Sequence, residues 1–265
     1  MKKAFITILA LACGIGANAQ KNDIFNFGIG LNVGTNGVGL DASIGLTRFV
    51  QIRGGVSYVP NMDFHANANV YNEAEAIINA YNLGHNSIAI PGIPQDVDVK
   101  VQPNMTTYHA LLDLYPSGSF HFTVGAYFGQ QDVIRLYTND GSMQSVHFVN
   151  TEVIDRINTP IDHIGLNVAG NLLTPDAQGN IDAVAKVKEI RPYFGIGFGR
   201  AVPRRHRMGC SLDLGVQYWG KPKYECNGFE PEQVPSSSNF ESLTSTLSTL
   251  PVYPVITLRL CGRIF

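Results

Sequence analysis

The sequence predicts an all-β fold, an eight-stranded antiparallel transmembrane β-barrel with long extracellular loops, and three observations carry that prediction. Segments of about ten residues alternate apolar with small or polar side chains. The first is Phe25-Asn26-Phe27-Gly28-Ile29-Gly30-Leu31-Asn32-Val33-Gly34, and versions of it recur up to Phe265. The links between these segments are very unequal in length, and the amino terminus reads as an export signal.

Met1-Lys2-Lys3 is a short basic start, residues 4–12 are apolar, and Ala17-Asn18-Ala19 precedes Gln20 with the small-x-small form of a cleavage site. This pattern predicts a signal peptide over 1–19 and a barrel over 20–265. Beyond it no run of about eighteen apolar residues occurs, so no transmembrane helix is expected. A net charge of −2 with 15% charged residues argues against a nucleic-acid binder. The only linker-like stretch, Pro235-Ser236-Ser237-Ser238, falls between two strands, which favours one domain.

Period-two alternation places strands at 24–34, 37–47, 49–59, 104–115, 119–129, 189–200, 208–218 and 252–265, an even number, as closure requires. An Asn36-Gly37 turn joins the first two, and a tight turn at Thr47-Arg48 leads to the third. Then come 44 residues over 60–103, the turn Pro116-Ser117-Gly118, the long segment 130–188, the short link 201–207 and the long link 219–251. From the second strand onward short and long links alternate, which assigns the short ones to the periplasm and the long ones to the outside.

Side-chain parity agrees. Val38, Leu40, Ala42, Ile44 and Leu46 share one face, Gly39, Asp41, Ser43 and Gly45 the other. A soluble sandwich shows the same alternation with its apolar face on a shared core; the export signal, the loop asymmetry and the terminal Phe265 select the barrel. Ten residues at about 3.3 Å rise, tilted about 40°, cover about 25 Å, the height of an apolar band. Phe25, Phe27, Phe49, Tyr115, Phe120 and Phe265 are expected at the periplasmic rim, and Tyr58, Phe128, Tyr218, Trp219 and Tyr253 at the outer rim.

On this pattern the mature chain resembles the small outer-membrane β-barrel family, the architecture of the OmpA transmembrane domain, OmpX and OmpW. The Ala-Gln at the cleavage site is similar to the Bacteroidetes type. The resemblance covers the mature chain and rests on pattern, with no diagnostic motif. It implies residence in the cell outer membrane, contact with outer-membrane lipids, and recognition of the C-terminal strand by the barrel-assembly machinery. No peptidoglycan-binding domain is expected after Phe265. One departure is that Phe265 shares the parity of Arg259 and Arg263 rather than that of Ile256, Leu258, Leu260 and Ile264, which predicts a bulge at Gly262 or a Phe265 beyond the last ladder pair.

Inward parity collects Asp41, Arg53, His109, Asp113, His121, Tyr127, Arg191, Tyr193, Asp213, Arg259 and Arg263. Eight strands leave an interior that side chains fill, so these charges are expected to pair. Strand directions put Asp213 beside Arg259 at mid height, and Arg53, Asp113 and His121 near the periplasmic end. Such a network serves as a polar plug or as a proton or ion path or gate. The inward glycines Gly28, Gly30, Gly39, Gly45, Gly195, Gly197 and Gly215 leave room either for the arginines or for a thin water channel. Cys210 and Cys261 fall near the ends of the last two strands on opposite faces, so a disulfide there requires a bulge.

No nucleophile elbow, zinc-binding helix signature or phosphate loop occurs. The nearest approach to a lipid-hydrolase arrangement is His121-Phe122-Thr123. His85, His147 and His163 with Asp162 would ligate a metal only if folding gathered them. The expectation is therefore no catalytic residue, no metal and no cofactor. Asn72 and Glu75 predict a capped helix through Tyr81, and 151–158 has a similar character. Apolar helical faces in such loops must bury on the barrel mouth, on each other or on a partner. The functional expectation is a structural or surface-binding protein that meets an extracellular ligand or protein through 60–103, 130–188 and 219–251. The alternatives are a narrow porin-like channel for small or apolar solutes and, behind it, a lipid-modifying enzyme.

Overall fold

The computed structural model describes residues 25–71, 92–155, 163–168, 170–204, 206–233 and 251–264. Residues 1–24, with the expected signal peptide, and Phe265 lie outside the described residues. In chain order the strands are β1 (Asn26–Gly34), β2 (Gly37–Gly45), β3 (Val50–Val59), β4 (Phe64–Tyr71), β5 (Asp96–Pro103), β6 (Met105–Ser117), β7 (Phe120–Gly129) and β8 (Asp132–Tyr137). They continue as β9 (Gly165–Val168), β10 (Asn171–Leu173), β11 (Asp182–Lys186), β12 (Ile190–Phe198), β13 (Met208–Tyr218), β14 (Lys223–Cys226), β15 (Glu232–Gln233) and β16 (Val252–Arg263).

Eight of these close into a barrel in the order β1-β16-β13-β12-β7-β6-β3-β2. They are the eight expected strands, with ends shifted by at most two residues. Turn chemistry sets the register. Gly37, at φ +88°, closes the β1–β2 hairpin opposite Gly34, a conformation that favours glycine. Between β2 and β3 the Thr47 hydroxyl accepts the Phe49 and Val50 amides at 3.1 and 3.0 Å, holding the link short.

The wall is inverted relative to a soluble protein. Leu31 and Leu40 are each 59% exposed, whereas Asp113, Arg191 and Arg259 are 0% exposed. Water would not tolerate so large an apolar band around a charged interior, whereas hydrocarbon suits it. The chain is thus a membrane-spanning barrel of the cell outer-membrane type. Among the described residues no helix is long and apolar enough to cross a membrane; the crossing is made by strands.

Exposed Phe25 and Phe49 stand at the rim of the short turns, and exposed Tyr58, Phe128 and Tyr218 at the opposite rim. Tyr115 corrects the expected girdle: it is 1% exposed and points into the barrel. Trp219 stacks on Tyr253 at 4.2 Å. The ladders of β16 run through Gly262 with no shift, pairing it with Ile29 and Met208, so of the two alternatives the bulge at Gly262 does not form, and Phe265 itself lies outside the described residues. Cys210 faces outward and Cys261 inward, and both thiols are free.

The three long links do not remain loops. They build a second antiparallel sheet in the order β14-β11-β8-β5-β4-β9-β10-β15. Its strands grow out of the barrel: only Asn104 separates β5 from β6, and its amide bonds Val133 O at 3.0 Å. A short helix, α1 (Gln144–Phe148), runs into a π-helical turn at Val149–Ile154. It begins before the expected 151–158, and 156–158, like the helix expected after Asn72, lies outside the described residues. Val146, Val149 and Val153 pack on Val97, Val99, Leu166 and Ala183 to make a core separate from the barrel. Of the three burial options for the loops, the structure shows the loops packed on each other.

Candidate functional site

The lumen is built from pairs that glycines admit. Asp41 on β2 stands opposite Gly30 of β1 and Gly55 of β3. The Arg259 guanidinium lies over Gly30, where a Cβ would come within 2.5 Å of its Nε. Arg259 Nε donates to the two Asp41 oxygens at 2.7 and 2.8 Å, and Nη2 donates to Asp41 and to the Ser43 hydroxyl. Asn32 adds a bond to Asp41 at 3.1 Å. Such a bidentate, fully buried pair satisfies charges that could not be left alone.

The second cluster centres on Arg53. Its two terminal nitrogens donate to the Asp213 carboxylate at 2.8 and 2.9 Å, and one also lies 3.1 Å from Asp113. Thr123 donates to Asp113 at 2.8 Å, and His121 Nε2 is 2.7 Å from Asp213. Gly197 faces Asp213 on one side and His121 on the other, and a Cβ there would lie 2.5 Å from the imidazole. The missing side chain is what lets this pair meet across the ladder.

The expected partnership of Asp213 with Arg259 is corrected. Asp213 takes Arg53 from across the lumen, because the barrel is narrow enough for opposite walls to touch, while Arg259 turns to Asp41 over the Gly30 gap. Arg263 is also displaced from the network. It lies at the short-turn rim, where Nη1 donates to Arg204 O at 2.7 Å. Arg191 sits at the opposite mouth, donating to the carbonyls of Lys188 (2.8 Å) and Gln130, with Trp219 5.4 Å from its guanidinium. His109 packs on Tyr127 at 5.3 Å. The space left among His109, Asp41, Arg53, Tyr193 and Arg259 is about 20 Å³, room for one water. Gly30 thus makes room for arginine, Gly197 for imidazole, and Gly195 and Gly215 for the Tyr193 hydroxyl.

Sequence reasoning missed a plug. The β12–β13 link folds back into the lumen, with Ala201 and Val202 each 1% exposed. Its backbone polar groups are met by barrel side chains, as buried backbone requires. Val202 N–H donates to Gln51 Oε1 at 3.1 Å and Gln51 Nε2 donates to Val202 O at 3.3 Å. Ala201 N–H donates to the Tyr115 hydroxyl at 3.1 Å, and Arg259 Nη1 donates to Ala201 O at 2.9 Å. An apolar Ala-Val-Pro inside an otherwise basic link was the available signal.

His121 and Thr123 both face this lumen, and Phe122 between them faces out. In the outer sheet His147 Nδ1 lies 3.3 Å from Pro175 O and His163 Nε2 2.9 Å from Asp155; His85 and Asp162 lie outside the described residues. Among the described residues no three His, Cys, Asp or Glu side chains are set to hold a metal. Arg135 donates to both Asp182 oxygens at 2.7 and 2.6 Å, and those bonds hold the Asp182 carboxyl below the usual range. Burial pushes the Cys226 thiol up to about 11.

No protein-family model matches the chain, and no curated protein matches it. Among solved structures it is similar to Acinetobacter baumannii CarO, at 14% identity over 91% of this chain and 99% of that one, with a TM-score of 0.45. A second likeness, at 16% identity, is to Acinetobacter baumannii CarO2 over 91% of this chain and 100% of that one, with a TM-score of 0.44. A third, to a major outer membrane protein of Thermus thermophilus, has 13% identity, covers 91% and 99% of the two chains and has a TM-score of 0.38.

Proposed function

We propose that this chain is a non-catalytic outer-membrane barrel whose plugged wall is a pedestal for a surface-binding sheet. The observation that carries the reading is the co-folding of three long links into one sheet with its own buried core. A preformed sheet offers a ligand or protein partner a surface whose ordering entropy is already spent in folding. In architecture the reading sets the chain beside the OmpA, OmpX and OmpW barrels, with β16 as the strand offered to the assembly machinery. The charges Asp41, Arg53, Asp113, His121, Asp213 and Arg259 then serve the pedestal, and His121 and Thr123, 1% and 0% exposed, are enclosed in the lumen away from the lipid face where a lipid substrate would lie.

The test is a barrel whose three outer links are each replaced by an Asn-Gly turn. Heat-modifiable gel migration and strand-rich circular dichroism should persist, while binding to cell surfaces and glycan arrays disappears. A capless barrel that kept all surface binding would end the proposal. A narrow channel is the second reading, favoured by one feature: a single short link, with Ala201 and Val202 at its tip, closes the lumen. Planar-bilayer conductance in the wild type that changes in Arg259→Ala would support it.

A further inference from the structure

The rim of short turns carries a cluster of positive charge. The links β2–β3, β6–β7 and β12–β13 contain Arg48, Arg200, Arg204, Arg205 and Arg207 and no Asp or Glu. Between the last two links lies a recess of about 560 Å³ lined by Gly118, Ser119, Arg200, Arg204, His206 and Met208, a volume within the range of small-molecule sites. Arg200 is held in place rather than loose. It donates to Gly118 O at 2.8 Å and to Arg48 O at 3.2 Å, and its guanidinium lies 4.4 Å from the Tyr115 ring centroid. Arg204 and His206 are exposed. Burial and the nearby Arg204 charge both lower the Arg200 pKa, as expected of a cation facing another cation.

The other side of the recess is lipid wall. Met208 is 64% exposed and Phe198, on the neighbouring strand, 62%. The recess is therefore bordered both by cations and by outward-facing side chains of the wall.

We propose that this recess is a site for the headgroup of an anionic phospholipid of the inner leaflet. Its phosphodiester meets Arg204 and His206 beside the fixed Arg200, and its acyl chains lie along Met208 and Phe198. Arginine suits phosphate oxygens through its planar fork, and a basic pocket at a membrane surface is the usual setting for such headgroups. The inference rests on the membrane placement above and not on any ligand of the outer sheet.

The experiment uses the full chain reconstituted in vesicles of equal phosphatidylcholine and phosphatidylglycerol, then extracted in detergent for native mass spectrometry. The wild type should retain phosphatidylglycerol over phosphatidylcholine. Arg204→Gln with His206→Gln, both at exposed side chains, should lose that retention on the order of fivefold; Arg204→Lys and the outer-sheet control Lys100→Gln should keep it. Equal retention of both lipids by the wild type, or unchanged retention by the double variant, overturns the site. Displacement by glycerol 3-phosphate overturns the choice of a lipid over a free phosphate ester. Absence of heat-modifiable migration in the wild type would instead strike the membrane reading itself.

Discussion

Replacing Arg259 by methionine keeps the aliphatic stem and removes every polar contact of the guanidinium. Asp41 would be left with Asn32, and the Ala201 carbonyl of the plug would lose the bond Arg259 donates to it. The two side chains are 0% and 2% exposed, so water does not screen the lost attraction. Removing one partner of such a buried pair costs about 3–5 kcal/mol, because the remaining charge is stranded. Asp41→Asn strands Arg259 in the same way. The double variant strands neither, so its loss should fall short of the sum of the single losses by about 0.5–3 kcal/mol. Urea unfolding from phospholipid vesicles measures this, with Trp219 as the reporter, since the chain has a single tryptophan. Additive losses within about 0.5 kcal/mol would refute the view that this pair is an energetic unit of the lumen.

The glycines should divide by what lies over them: Gly30→Val, aimed at the Arg259 guanidinium, is expected to cost about 1–3 kcal/mol, whereas Gly54→Ala, whose Cβ would meet only the His109 carbonyl at 3.4 Å, should shift the urea midpoint little. Gln51→Leu removes both bonds to Val202; a loss of about 1–3 kcal/mol and faster hydrogen exchange at the Val202 amide are expected, and unchanged exchange would contradict the plug. Because thiolate is the reactive form and burial raises the Cys226 thiol pKa to about 11, Cys226 should resist iodoacetamide at pH near 8 until the outer sheet unfolds. Mass spectrometry of the alkylated peptide reads this, and rapid labelling of the folded protein would count against the buried thiol.

The eight barrel strands were legible because a wall between lipid and a narrow lumen imposes period two on every residue, and each residue answers it locally. Val38 to Ile44 needed no partner to declare which side they face. The outer sheet was less legible. Asp96-Val97-Asp98-Val99-Lys100-Val101 alternates as cleanly as any barrel strand, yet its partners β4 and β8 come from two different links, and no local pattern announces a pairing across the barrel mouth.

The sequence by itself determined the barrel, its strand parity and the inward set of charges apart from Arg263, since these follow from local alternation and link length. Only the tertiary structure decided which charges meet. Asp213 reaches Arg53 rather than Arg259, Arg259 reaches Asp41 through the gap at Gly30, and the Ala201-Val202 turn fills the space below. Those choices depend on the width of the closed barrel and on which neighbouring positions lack side chains, distances across strands remote in sequence that no periodicity encodes.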